Sequence, residues 1–126
     1  MNRSFIITAS LIGALSVIFG AFGAHSLRTI AAPQDLEVFD TAVRYQFYHV
    51  GALFIVGLLW SRWPNNWMRA AGRLFIAGII LFSGSLYLLV FFHISSVSAQ
   101  WVGMFTPLGG ISLICGWGCI AIACRK

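Results

Sequence analysis

Four long apolar runs, at residues 4–27, 42–60, 70–92 and 106–124, alternate with polar connections. Each run is near the ~20 residues that carry an α-helix across a ~30 Å hydrocarbon layer. Inside lipid there is no water for free backbone groups, so intrahelical bonding is the expected solution. The pattern predicts an all-α protein, a four-transmembrane-helix bundle that makes one integral membrane domain of residues 1–126.

Residues 31–43 form the longest hydrophilic segment. Pro33 suits the first turn of a helix. Leu36, Phe39 and Val43 then recur at helical spacing, opposite Asp35, Glu37 and Asp40. This predicts a short amphipathic segment between helices 1 and 2, either lying at the membrane surface or extending the second span. Asp40 precedes Arg44 by four positions, the favourable order for a helical ion pair. The second connection holds Pro64, Asn65 and Asn66 as a turn, flanked by Trp60, Trp63 and Trp67, whose indoles favour the headgroup region. Thr106 followed by Pro107 reads as an N-cap and first helical residue of the fourth span.

Small residues mark where helices can approach. Ala9, Gly13, Ser16, Gly20 and Gly23 share one stripe of the first span. The third span pairs Ala77 with Gly84 and Gly78 with Ser85, and the fourth carries Gly109, Gly110, Gly116 and Gly118. Such spacing lets backbones pack closely in lipid and predicts an intramolecular seam in preference to a dedicated dimer motif.

Composition sharpens this reading. The chain is 60% hydrophobic and 9% charged, with 126 residues and no room for a separate soluble module. Four helices enclose little interior, so a homo-oligomer or a larger membrane complex is expected beside the lipid bilayer as partner. The formal charge of +5 does not imply nucleic acid, because the cations are scattered at span ends and share no face. Arg3, Arg62, Arg69, Arg73, Arg125 and Lys126 fall on one side; only Arg28 and Arg44 flank the first connection, and the third has none. The positive-inside rule then predicts both termini and the middle connection in the cytoplasm. Arg3, the apolar run and the small residues around Ala21–Ala24 resemble a secretory signal, but the run is too long for a signal core and predicts a retained span. Cys115, Cys119 and Cys124 all lie in the last span, an odd count in its cytoplasmic half, which predicts packing roles and no disulfide framework.

Under this orientation the polar residues of the spans converge. His25 ends the first span, Tyr45, Gln46 and His49 follow the start of the second, Ser83, Ser85 and Tyr87 lie in the third, and Thr106 opens the fourth. Polar groups at such depth are costly and face protein or water. Three readings compete: hydrogen bonds that lock the bundle, a solute or proton path, or a metal or haem held by His25 and His49 with His93. The path lacks a carboxylate in any span, and the metal lacks a local ligand pair. Phosphate-cradling loops, paired catalytic carboxylates and a nucleophile with a base partner are all missing, which argues against an enzyme and calls for no cofactor.

The residues of this layer also carry a resemblance. Gly20-Ala21-Phe22-Gly23-Ala24-His25, Tyr45-Gln46-Phe47-Tyr48-His49, Leu81-Phe82-Ser83-Gly84-Ser85-Leu86-Tyr87 and Thr106-Pro107-Leu108-Gly109-Gly110 occur in that order across the chain. In this the sequence resembles domain-of-unknown-function family 423, the small inner-membrane proteins of the YgdD and YwdK type. The resemblance implies four spans in a bacterial inner membrane and assigns no activity. The expected function is a non-enzymatic accessory or scaffold protein packed through small-residue faces; the alternative is a small oligomeric transporter or channel that uses the polar layer.

Overall fold

A computed structural model describes residues 1–125. Among them five α-helices build four membrane-length spans: α1 (Arg3–Ala24), α2 (Pro33–Leu59), α3 (Asn66–Gly78) continued by α4 (Gly84–Ile94), and α5 (Phe105–Ala123). No strand occurs among the described residues. All four spans are long and apolar enough to cross a membrane. The chain is therefore an integral, multi-pass membrane protein.

Span boundaries follow the apolar runs closely, with two informative departures. The amphipathic segment is no separate helix: Pro33 occupies the start of α2, which then runs unbroken for 27 residues to Leu59. Of the two readings open for residues 31–43, extension of the second span is the one observed. Its apolar side, Leu36, Phe39 and Val43, packs with Phe19, Phe22 and Tyr87, so burial holds the segment upright. The other departure is a π-helical turn at Ile79–Ser83 that joins α3 to α4, closed by the Gly84 N–H donating to Ile79 O five residues back.

Asn2 and the last described turn, at Arg125, lie at one end of the bundle, and short ties fix that end. The Asn2 N–H donates to Gly57 O at 2.8 Å, while the Asn2 side chain caps α1 by accepting from the Phe5 N–H. Asn65 caps α3 by accepting from the Met68 N–H at 3.0 Å. Its Nδ2 donates to Ala123 O at 3.1 Å, which joins the middle connection to the last turn of α5. At the far end His93 Nδ1 meets the Asp35 carboxylate at 2.8 Å, joining the end of α4 to the start of α2.

Packing pairs α1 with α2 and α3 with α5, and α2 also lies against the third span. The main core gathers Phe5, Ala9, Val50, Leu53, Val56, Met68, Phe75 and Leu113. The small-residue stripe of α1 faces α2, as an intramolecular seam requires. An added Cβ at Gly13 would lie 3.3 Å from Val50, and one at Gly23 would lie 2.8 Å from the Phe39 ring. The opposite side of α1 exposes Ile7, Leu11, Leu15 and Ile18 to the apolar solvent. In water that exposure would drive aggregation; in acyl chains it costs nothing. The Asp40–Arg44 pair forms at 2.8 Å on the exposed side of α2. Among the cysteines, Cys119 is buried, Cys124 half-buried and Cys115 exposed, and all are free thiols.

Candidate functional site

Gln46 is the centre of the polar cluster. It is buried on α2, where its Nε2 donates to Ile12 O of α1 at 3.1 Å. Its Oε1 accepts from the Tyr87 hydroxyl of α4, so one amide ties three elements. Tyr87 reaches it past Phe19 and Phe39, whose ring centroids lie 4.8 and 5.1 Å from its own. These aromatic contacts fix the phenol, since a buried tyrosine needs both packing for its ring and a partner for its hydroxyl.

Ser83 closes the π-helical turn and is buried, and its hydroxyl donates to Ala42 O of α2 at 2.7 Å. Two residues on, Ser85 is bonded to Phe82 O at 2.9 Å and to the Thr106 hydroxyl of α5. Thr106 thus departs from the capping role that its position before Pro107 suggested. α5 begins at Phe105 with no side-chain cap, because a 3-10 turn at Gln100–Met104 leads straight into it. The hydroxyl is free to bond across the interface instead.

His49 belongs to a separate aromatic box. The Trp117 indole N–H donates to His49 Nε2 at 3.2 Å, and an indole can only donate. The proton of the neutral ring must then sit on Nδ1, which donates to Tyr45 O at 2.7 Å. Phe75 lies against both rings, 5.7 Å from His49 and 5.3 Å from Trp117 by centroids. Tyr45 contributes its carbonyl and packs its ring on Phe82, but its side chain is 41% exposed and its hydroxyl bonds nothing among the described residues.

His25 stands apart. It follows the last residue of α1, is exposed, and joins neither the Gln46 cluster nor the His49 box. A shared metal required its nitrogens within about 5 Å of those of His49 to accommodate ligand bonds near 2.0–2.1 Å. Both His49 nitrogens are instead engaged by Tyr45 and Trp117. His93, the third histidine, is held by Asp35. Among the described residues no group of three or more His, Cys, Asp or Glu side chains is arranged to hold a metal.

The cluster also reaches deeper than a surface layer. Gln46 precedes Gly57 by eleven residues, about 16 Å of helix. That is close to half of a ~30 Å hydrocarbon layer measured from the terminus-bearing end. Ser85 and Thr106 lie further towards the opposite end. What meets is therefore a set of separate ties at staggered depths, and among the described residues no buried side-chain nitrogen or oxygen lacks a partner.

Sequence reasoning missed several polar ties. Ser112 of α5 donates to Leu74 O of α3 at 2.8 Å, and Asn65 binds Ala123 O. Asn65 had a readable signal as the asparagine before a helical run. The closest approach of all is at Gly109, where an added Cβ would lie 2.3 Å from Phe82 N. Only a residue with no side chain lets α5 lie against the π-helical turn there.

No solved structure matches the chain. Its relatives among known proteins are close and match it end to end. UPF0382 membrane protein YwdK of Bacillus subtilis is 41% identical over 125 residues, covering 98% of each chain. UPF0382 membrane protein SAB0533 of Staphylococcus aureus is 42% identical over 124 residues, covering 98% of this chain and 97% of its own. UPF0382 inner membrane protein YgdD of Escherichia coli is 31% identical over 121 residues, covering 96% of this chain and 88% of its own. Residues 19–110, which hold every member of the Gln46 cluster except Ile12, match the family described as protein of unknown function (DUF423). With its four spans and its relatives over nearly its whole length, the chain belongs to the DUF423 family of membrane proteins.

Proposed function

We propose that this protein is a non-enzymatic accessory or scaffold of the bacterial inner membrane, with both termini and the middle connection in the cytoplasm. The observation that carries the reading is where hydrogen-bonding capacity is used. Gln46, His49, Ser83, Ser85, Tyr87 and Thr106 each bond to a neighbouring span or to their own helix, so their role is to hold helices in register. Two lipid-facing stripes remain to meet other molecules. On α2 Tyr48, Gly51, Ile55 and Leu58 alternate at three- and four-residue steps, and on α5 Ile111, Ile114, Gly118 and Ala121 do the same. Nothing lies within 4 Å of a Cβ added at Gly51 or Gly118, so each stripe has a shallow place where another helix backbone fits.

The test is extraction in mild detergent, affinity capture and native mass spectrometry. A homo-oligomer or a stoichiometric membrane partner is the expected result, and Gly118→Leu should weaken it. A monomer without partners at native expression would overturn the proposal.

A second reading, a small oligomeric transporter or channel lined by the polar cluster, draws support from the π-helical turn, a feature frequent at functional sites. It needs water to reach Tyr87 and His49. A Ser83→Cys variant that resists membrane-impermeant thiol reagents from both sides would remove it.

A further inference from the structure

The chain's three acidic side chains, Asp35, Glu37 and Asp40, all lie in the first turns of α2 at the far end. The terminus-bearing end holds Arg3, Arg62, Arg69, Arg73 and Arg125 and no acidic side chain. Two of these arginines sit against tryptophans. Arg62 lies over Trp63 at 5.1 Å and Arg69 over Trp60 at 5.5 Å, both measured to the ring centroid. Arg73 is different. It follows Trp67 by six residues, about 9 Å of helix. It is exposed, so it faces acyl chains, and among the described residues it has neither an ion pair nor a hydrogen bond.

A guanidinium below the indole belt is costly unless it snorkels back to an anion. Its neighbour one turn nearer the surface is Arg69, itself steadied by Asn66 Oδ1 at 3.4 Å. Asn66, Arg69, Ala70, Arg73 and Leu74 line one groove of about 390 Å³. The groove has two cations four residues apart, an apolar floor, and the positive end of α3 at its mouth, which adds to the attraction for an anion. Among the described residues no side-chain carboxylate lies at this end to supply the charge.

We infer that this groove binds an anionic glycerophospholipid of the leaflet at the terminus-bearing end. The phosphate lies between Arg69 and Arg73, and an acyl chain runs over Ala70 and Leu74. Two guanidinium forks suit a phosphate because each offers paired N–H donors in one plane. The inference concerns that end of the bundle whichever compartment it faces, so it stands apart from the proposed orientation and scaffold role.

The test titrates detergent-purified full-length protein with phosphatidylglycerol and phosphatidylcholine of identical chains and counts lipid adducts by native mass spectrometry. Wild type should prefer phosphatidylglycerol, with about fivefold of the preference carried by each arginine. Arg73→Gln should lose its share, the Arg69→Gln/Arg73→Gln double variant should bind both lipids alike, and Arg28→Gln at the far end should match wild type. A second measurement needs no variant: the wild-type preference should shrink in 1 M salt, where the screening length is about 3 Å. Equal wild-type binding of both lipids would overturn the inference, as would an undiminished preference in Arg73→Gln. Loss of a dimer in the arginine variants with unchanged lipid adducts would assign the groove to a second copy of the chain and overturn it as well.

Discussion

Replacing Gly109 by alanine should force the fourth span away from the third. The new Cβ would lie 2.3 Å from Phe82 N, 2.7 Å from Phe82 Cα and 2.8 Å from Leu81 C. Carbon atoms pack best at about 3.5–4.0 Å, so the helices must part by about 1 Å. Because the obstructing atoms are backbone on one side and Cβ on the other, no rotamer change relieves the clash. Overpacking of this kind costs about 1–3 kcal/mol. Separation would also stretch the Ser85–Thr106 bond, worth about 0.6 kcal/mol if it resembles other interhelical bonds in lipid. Alanine's better helix propensity returns up to about 1 kcal/mol. The net expectation is a loss of about 1–3 kcal/mol, measured by unfolding in mixed micelles with circular dichroism. Gly118→Ala on the same helix is the control, since nothing lies within 4 Å of its added Cβ; it should be neutral or mildly stabilising. If Gly109→Ala were as stable as wild type, or Gly118→Ala the more damaging change, the close approach would not govern this interface.

Gln46→Leu should cost about 1–2 kcal/mol, chiefly because it strands the Tyr87 hydroxyl; Ile12 O keeps the Ser16 hydroxyl as a partner at 2.9 Å. Tyr87→Phe in the same background should then cost less than it does alone, and additive losses in that double-mutant cycle would deny the coupling. Asn65→Ala removes both a helix cap and the tie to Ala123 O. A loss of about 1–2 kcal/mol is expected, with faster amide exchange at Met68 as the local sign. Asp35→Asn should cost no more than about 1 kcal/mol and chiefly at low salt, because His93 is 71% exposed although Asp35 is 13% exposed. A large, salt-independent loss would mean that the far end relies on this pair more than its exposure allows.

The parts of the fold that are legible in the sequence are those set by one-dimensional patterns. Span number, the start of α2 at Pro33 and the facing of Ala9 and Ser16 towards α2 all follow from apolar length, proline placement and small-residue spacing. The Asp40–Arg44 pair is equally local. What stayed hidden depends on two helices at once. The π-helical turn at Ile79–Ser83 has the same apolar composition as an α-helix, and only its position against Gly109 distinguishes it. Thr106 looked like a cap because the residue that draws its hydroxyl away, Ser85, is on another span. The gathering of polar groups was partly visible: Gln46, Ser83, Ser85, Tyr87 and Thr106 make ties between neighbouring spans, whereas His25 shares their sequence level and stands outside. Its place after the end of α1 leaves it exposed, and counting residues from the membrane edge cannot reveal that.

The interhelical bonds made by Gln46, Ser83, Ser112 and Asn65 have one property in common: each donor's target is a main-chain oxygen, on Ile12, Ala42, Leu74 and Ala123. A main-chain oxygen is present whatever amino acid occupies the position. The restraint on sequence is therefore one-sided. Donor positions are bound to their chemistry, while acceptor positions are bound only by size and helix geometry. Paired substitutions should be rare at these four bonds and a search for covarying positions would overlook them, whereas Gln46–Tyr87, Ser85–Thr106 and His49–Trp117 join side chain to side chain and stay open to it.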